Sequence, residues 1–137
     1  MKTMTGQPYS VLITDDDLDS RETLRDIVET EGFRILLASS GEEAIDIVRE
    51  DHVHLALFDM HMPRMTGLEA LEIVHTINAI LPCILVTADA NESVVRQAFQ
   101  LRVYSVIPKP VNKNILLYTM VRAIMKVYGN TLHEEQN

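Results

Sequence analysis

Leu55-Ala56-Leu57-Phe58-Asp59-Met60-His61-Met62-Pro63-Arg64-Met65-Thr66-Gly67 is the stretch that decides the fold of this chain. It opens on four consecutive apolar residues, which end at one carboxylate, Asp59. Because these apolar residues do not alternate with polar ones, they predict a strand covered on both faces, as in a parallel sheet. In open parallel sheets, ligands bind in the crevice at the carboxyl ends of the strands. Asp59 is therefore predicted to lie at a ligand-binding edge.

Length and composition indicate one globular domain. The chain has 137 residues, of which 47% are hydrophobic and 23% are charged, an ordinary composition for a single domain. No window reaches the roughly 18 unbroken apolar residues of a membrane helix, and the polar N-terminus lacks a signal core, so we expect a cytoplasmic protein. The formal net charge of -8 disfavours binding to nucleic acid or to an anionic membrane. The one cysteine, Cys83, is expected to be a buried core residue.

Apolar runs alternate with amphipathic segments along the chain. The runs predict strands at 10–14, 33–38, 55–58, 83–86 and 103–107. The segments predict helices at 18–31, from a capping box at Ser40 to about 50, at 66–77, from Asn91 or Ser93 to about 101, and from Asn112 to about 128. This alternation predicts a doubly wound α/β domain, a three-layer sandwich with a five-stranded parallel sheet between two layers of helix.

The predicted domain occupies residues 9–128. Residues 1–8 are expected to form a flexible N-terminal segment, because they are polar and precede the first apolar run. Gly129 stands where the last helix is expected to end. Residues 129–137 are therefore predicted to be a polar C-terminal tail.

Four of the predicted strands end in groups with distinct chemistry. In chain order, these groups are Asp15-Asp16, Asp59, Thr87-Ala88 and Lys109. Parallel strands end at one edge of the sheet, so we expect the groups to meet there. Crowded carboxylates need a compensating cation, and oxygen ligands without His or Cys favour Mg²⁺. A lysine and a threonine aimed at one point suit a phosphoryl group, and Asp59 is then the natural covalent acceptor.

This constellation resembles the receiver domain of two-component response regulators. The resemblance covers about residues 9–128, and its motifs are Asp15-Asp16, Asp59 with Met62-Pro63 and Gly67, Thr87-Ala88, and Lys109-Pro110. It implies a flavodoxin-like fold with five strands in the order 2-1-3-4-5. It also implies a signalling switch that regulates a partner or an output domain. Such a switch is not an enzyme beyond its own self-catalysed phosphorylation and dephosphorylation.

The resemblance implies roles for the acidic residues. Asp59 would accept the phosphoryl group from a phosphohistidine on a sensor histidine kinase or a histidine phosphotransfer protein. Asp16, Asp59 and the backbone carbonyl of His61 would bind Mg²⁺, and Asp15 would act mainly through a bound water. The same resemblance implies that His61 and Asp89 stand where the family tunes phosphoryl lifetime, and we hypothesise that they shield the group from water.

The resemblance also implies roles for the residues after the fourth and fifth strands. Lys109 would pair with the phosphoryl group, the Thr87 hydroxyl would swing inward to bond to it, and the Ala88 amide would help to hold it. A cis peptide bond is implied between Lys109 and Pro110. The movement of Thr87 would be a population shift that a partner can read.

The chain departs from the family before the lysine. The switch aromatic of the family usually stands three residues before it, where this chain has Val106. Tyr104 lies two residues earlier and is expected on the same side of a regular strand. Arg102-Val103 replaces the Gly-Ala common before this strand, so the preceding turn is expected to differ.

The last predicted helix carries a wide apolar stripe, which we interpret chiefly as core packing. The alternative is that the surplus apolar surface, with Val95, Phe99 and Tyr104, forms a homodimer or partner face from the fourth helix, fifth strand and fifth helix. The chain shows no basic recognition helix after Tyr128. A missing output domain or a separate downstream protein is therefore expected.

Two other function classes compete with the switch. Asp15-x-Asp17 also resembles the nucleophile motif of Mg²⁺-dependent phosphohydrolases of the haloacid-dehalogenase type, with Asp15 as nucleophile. That interpretation leaves Asp59, Met62-Pro63 and Gly67 unexplained. A flavodoxin-like cofactor-binding module is disfavoured, because no phosphate-cradling loop follows the first strand.

Overall fold

The computed structural model describes the backbone of residues 8–136 and the side chains of residues 8–129. The strands are β1 (Ser10–Thr14), β2 (Arg34–Ala38), β3 (Leu55–Asp59), β4 (Cys83–Thr87) and β5 (Ser105–Pro108). The helices are α1 (Leu18–Glu29), α2 (Gly41–Glu50), α3 (Gly67–Ile77), α4 (Glu92–Gln100) and α5 (Lys113–Gln136). All strands pair in parallel in the order β2-β1-β3-β4-β5. The predicted fold class and strand order are confirmed.

The three central strands are buried along their whole length because helices cover both faces of the sheet. Every residue of β1, β3 and β4 is buried. Alternate side chains, such as Leu12 and Phe58, pack with α2, α3 and α4, whereas Ile13 and Leu57 pack with α1 and α5. Cys83 is fully buried, which raises the pKa of its thiol. It is a core residue, as predicted.

Local capping explains where the helices begin. Thr66 and Glu69 form a reciprocal capping box at the start of α3. Of the capping box predicted at Ser40, one hydrogen bond is present, from the Glu43 amide to the Ser40 hydroxyl. The other is not formed as predicted, because the Glu43 carboxylate accepts from the amide of Ser39 rather than of Ser40. The side chain of Asn91, not that of Ser93, caps α4. Each cap gives a free amide of the first turn an acceptor.

The last strand begins two residues later than predicted. Arg102 adopts a positive φ of 63°, and the Val103 amide turns back to donate to the Ala98 carbonyl of α4 at 3.1 Å. Regular pairing with β4 therefore begins at Ser105. The altered turn expected at Arg102-Val103 thus has a local cause in the backbone.

The last helix extends beyond its predicted end. α5 continues through Gly129 to Gln136, so the predicted polar tail 129–137 is helical up to that residue. Gly129 has no positive φ, and a glycine inside a helix costs only about 1 kcal/mol relative to alanine. Residues 1–7 of the predicted N-terminal segment, and Asn137, lie outside the described residues. Within residues 8–136, no helix is long and apolar enough to cross a membrane.

A half-buried histidine, His54, packs at the edge of the sheet opposite to the carboxyl ends of the strands. His54 Nδ1 accepts from the Ser10 amide at 2.9 Å. The His54 ring meets those of Tyr9 and Tyr128 edge-on, with centroids 5.0 and 5.2 Å away. Burial, and then the nearby His52, lower the pKa of His54. A protonated Nδ1 cannot accept the Ser10 hydrogen bond.

We expect the stability of the protein to fall as the pH drops through about 6.5, the ordinary pKa of histidine. Because the pKa of His54 is lower in the folded protein, the unfolded chain binds a proton at this residue more readily. Acid therefore favours unfolding. Urea unfolding at about pH 7.5 and about pH 5.5 measures this loss. His54→Asn keeps an acceptor for Ser10 and should lose less stability between the two conditions. An equal loss in parent and variant would contradict this assignment.

Candidate functional site

Charged side chains from three strand ends meet at the carboxyl edge of the sheet. Lys109 Nζ lies 2.9 Å from Asp15 Oδ2 and 3.3 Å from Asp59 Oδ1. The Lys109 amide donates to the Thr87 carbonyl at 2.9 Å, which ties the end of β5 to the end of β4. The peptide bond between Lys109 and Pro110 is cis, as the resemblance implied. The structure therefore brings together groups that lie 50 and 94 residues from Lys109 in the chain.

Three carboxylates form an oxygen-rich cluster around this lysine. Asp15, Asp16 and Asp59 each place one oxygen atom within 4.8 Å of the others. Asp15 is completely buried, Asp59 is 9% exposed and Asp16 is exposed. All three ligand atoms are hard carboxylate oxygens, with no His or Cys among them, a donor set that fits Mg²⁺.

Burial and repulsion shape the charges in the cluster. Burial, and then the charge of Asp15, raise the pKa of Asp59, and Lys109 opposes this shift. Burial acts to lower the pKa of Lys109, but its hydrogen bonds and charge interactions with Asp15 and Asp59 outweigh burial and raise it. The ammonium is therefore held in its charged form between two carboxylates. A cation that joins the cluster would relieve the remaining repulsion at Asp59.

A glycine brings α3 against the backbone of Asp59. A Cβ atom built on Gly67 would lie 2.1 Å from the Asp59 carbonyl oxygen, far inside van der Waals contact. The Gly67 amide donates to the Met60 carbonyl at 2.9 Å. Arg64 turns the intervening loop with a positive φ of 68°. Gly67 is required here because only a residue without a side chain permits this close approach.

The loops after β3 and β4 meet at the mouth of the cluster. Thr87 is fully buried, and its hydroxyl accepts from the Asp89 amide at 3.0 Å. Ala88 is exposed. His61 Nε2 lies 3.4 Å from Asp89 Oδ2. The two residues that we expected to act together are thus paired across the two loops.

The expected arrangement of Tyr104 and Val106 is wrong. Val106 packs with the core on the face of α2, α3 and α4, whereas Tyr104 packs with the core on the face of α1 and α5. Tyr104 precedes the first residue of β5, so the side-chain alternation of the strand does not reach it. Its ring lies 5.9 Å from Lys126 Nζ of α5.

Two residues of α1, which the sequence did not lead us to expect at the site, contact the cluster. The Ser20 hydroxyl donates to Asp15 Oδ2 at 2.5 Å, and Arg21 Nη1 donates to the Asp15 carbonyl at 2.7 Å. Ser20 stands four residues before the buried Leu24, so it lies on the inward face of the helix. That spacing was the available signal for Ser20.

The chain belongs to the response regulator receiver domain family of two-component systems, whose family model matches residues 11–121. It is 31% identical over 116 residues to the transcriptional regulatory protein CpxR of Escherichia coli strain K12. This alignment covers 85% of this chain and 49% of CpxR. It is 29% identical over 121 residues to ZraR of Klebsiella oxytoca, which covers 88% of this chain and 27% of ZraR. The chain thus spans about a quarter to a half of the length of these curated relatives.

Solved structures show the same fold. A CheY-like receiver domain protein from Methanospirillum hungatei JF-1 superposes with a TM-score of 0.86 at 27% identity, covering 90% of this chain and 99% of that one. CheY in a CheX-CheY-BeF3-Mg²⁺ complex from Borrelia burgdorferi superposes with a TM-score of 0.81 at 28% identity, covering 90% and 92%. The comparisons give no support to the phosphohydrolase alternative. Its nucleophile, Asp15, is completely buried.

Proposed function

We propose that Asp59 receives a phosphoryl group from the phosphohistidine of a sensor kinase or a histidine phosphotransfer protein. A carboxylate oxygen of Asp59 forms the new bond to phosphorus, and the phosphorus–nitrogen bond of the donor breaks with its electron pair returning to the imidazole. The observation that carries this proposal is the position of Lys109 Nζ, 3.3 Å from Asp59 Oδ1. An ammonium there stabilises the added charge of the phosphoryl oxygens.

We further propose that Asp16, Asp59 and the His61 carbonyl hold Mg²⁺, with Asp15 acting through a water. The three clustered carboxylates support this assignment. When bound, Mg²⁺ offsets the negative charge of the carboxylates and of the phosphoryl oxygens. Asp59 would then help to hold the ion and would also accept the phosphoryl group.

Thr87, Tyr104 and Val106 are the proposed switch, and Ala88 is proposed to help hold the phosphoryl group. The Thr87 hydroxyl gives up the hydrogen bond that it accepts from the Asp89 amide and donates instead to a phosphoryl oxygen. The Ala88 amide donates to the same phosphoryl group. Release of Asp89 alters the loop before α4, and Val106 packs with the core on the face of α2, α3 and α4. Tyr104 acts on the other face, against α5. His61 and Asp89, paired at the mouth, are proposed to shield the phosphoryl group from water.

The proposed partner surface is an open groove of about 440 Å³ between the loop before β4, the end of α4 and α5. Ile80 and Phe99 line it and are 67% and 52% exposed. Arg102 and Lys126 also line it, and neither has a carboxylate partner among residues 8–129. This surface adjoins the predicted homodimer face of α4, β5 and α5. A downstream protein, an output domain or a second copy of the chain is proposed to cover it. The proposed location of the protein is the cytoplasm.

Incubation with Mg²⁺ and acetyl phosphate is expected to add one phosphoryl group to the parent, measured by intact mass. Asp59→Asn should abolish this addition, because an amide oxygen does not replace the carboxylate nucleophile. Asp46→Asn is the matched control, since Asp46 is an exposed residue of α2 away from the cluster. Labelling that persisted in Asp59→Asn would overturn the assignment of the acceptor.

Mg²⁺ affinity tests the metal site without phosphorylation. Asp16→Asn and Asp59→Asn should each weaken binding at least about tenfold, as expected when one ligand of a hard cation loses its charge. Isothermal titration calorimetry measures the dissociation constant, and bound ion should raise the Tm of the parent. Asp19→Asn in the first turn of α1 serves as the control. Equal affinity in all four proteins would exclude a metal site at the cluster.

A further inference from the structure

The completely buried carboxylate of Asp15 depends on donors from two distant parts of the chain. Its Oδ1 accepts from the Asp17 amide at 3.0 Å. Its Oδ2 accepts twice, from the Ser20 hydroxyl at 2.5 Å and from Lys109 Nζ at 2.9 Å. A buried carboxylate oxygen that loses a hydrogen-bond donor is left unsatisfied, which costs free energy. Ser20 and Lys109 therefore share one task, which is to satisfy the buried Oδ2 atom of Asp15.

The backbone of α1 holds Ser20 in this position. Asp17 caps the helix, and its Oδ2 accepts from the Ser20 amide at 2.9 Å. Arg21 in turn fixes the end of β1 through the Asp15 carbonyl. The Ser20 hydroxyl is thus directed at Asp15 by the capped start of the helix.

Lys109 is the donor that has competing partners. It lies 2.9 Å from Asp15 and 3.3 Å from Asp59, so the ammonium is divided between the two carboxylates. Under the proposed function, on which this inference rests, Lys109 must serve the phosphoryl group on Asp59. Every shift toward Asp59 weakens its bond to Asp15.

We propose that Ser20 is a positioning residue that keeps Asp15 oriented and hydrogen-bonded when Lys109 turns to Asp59. Its hydroxyl remains on Oδ2 and lowers the pull of Asp15 on the ammonium. Without it, Lys109 is the only donor to that oxygen and stays closer to Asp15. Its charge then opposes entry of a cation and is less available at Asp59. Ser20 makes and breaks no covalent bond.

The test compares Ser20→Ala with Ser20→Thr, which keeps the hydroxyl, and with Thr23→Ala as a control on the same helix. Mg²⁺ affinity by calorimetry and the rate of labelling by acetyl phosphate are both measured. Ser20→Ala should weaken Mg²⁺ binding and slow labelling at least about threefold, in the range expected for one hydrogen bond. Ser20→Thr should stay near the parent, and Thr23→Ala should match it. Parental values in Ser20→Ala, or equal defects in Ser20→Ala and Ser20→Thr, would overturn the proposal.

A double-mutant cycle with Lys109→Met tests the shared task without metal or phosphoryl donor. Ser20→Ala should increase the unfolding equilibrium constant at least about threefold more in the Lys109→Met background than in the parent, because Oδ2 then loses its last donor. Strictly additive effects would refute the inference even if the parent is labelled normally. A parent that neither binds Mg²⁺ nor accepts a phosphoryl group would instead refute the proposed function, while the cycle still decides the role of Ser20.

Discussion

Lys109→Met is expected to lower the free energy of unfolding by about 3 kcal/mol at neutral pH, as observed when one partner of a buried ion pair is removed. The variant leaves Asp15 and Asp59 facing each other with no cation between them, and Asp15 is completely buried. Methionine retains much of the apolar stem of lysine, so the loss reports charge rather than packing. Urea unfolding of parent and variant measures it.

The pH dependence of this loss gives a second check. Without Lys109, the pKa of Asp59 rises further, because the charge that opposed its upward shift is gone. The folded variant then binds a proton more readily than the unfolded chain, so its stability falls as pH rises. The difference from the parent should therefore be greatest near neutral pH and shrink toward about pH 4, the ordinary range of carboxyl groups. Lys113→Met, at the exposed start of α5, is the control, and an equal loss there would contradict the explanation.

Gly67→Ala is expected to destabilise the protein by about 3 kcal/mol, the upper range for overpacking a core. The added methyl group would lie 2.1 Å from the Asp59 carbonyl oxygen and 3.2 Å from Leu85 Cδ1. Either α3 or the end of β3 must move to admit it. Because either movement changes the surroundings of Asp59, labelling by acetyl phosphate should also fall. Urea unfolding and intact mass measure the two effects.

Gly129→Ala is the matched control for this substitution. Among the side chains of residues 8–129, a Cβ atom there would meet only Met125 Cε, at 3.7 Å, and alanine is the better helix former by about 1 kcal/mol. The control should be neutral or stabilising and should be labelled at the parental rate. If Gly67→Ala behaved in the same way, the close approach of α3 to Asp59 would not be a constraint on the site.

Most of the fold was predictable because local patterns carry it. The unbroken apolar run before Asp59 predicted a strand covered on both faces, and β3 is buried along its length. The order of polar groups after successive strands predicted that Asp15, Asp59 and Lys109 would meet, because parallel strands end at one edge. Each of these inferences uses periodicity or strand direction, which a sequence displays directly.

Errors arose where the local pattern allowed more than one backbone course. Tyr104 was expected beside Val106 on the alternation of a strand, but the backbone turn at Arg102 delays the strand and Tyr104 packs against α5 instead. The end of α5 was expected at Gly129, yet the helix continues to Gln136. A glycine permits a helix to end but does not require it, since its cost in a helix is small.

The sequence by itself determined the order of the elements, the sheet edge and the identity of the chemical groups there, because apolar periodicity and strand direction are local properties. Only the tertiary structure decided that Lys109 lies between Asp15 and Asp59, and that the Ser20 hydroxyl donates to the same Asp15 oxygen as Lys109. Only the structure showed that Gly67 touches the backbone of Asp59. These contacts depend on how the first turns of α1 and α3 pack over the strand ends. Such packing is set by distances of a few ångström between segments far apart in the chain, which no local pattern encodes.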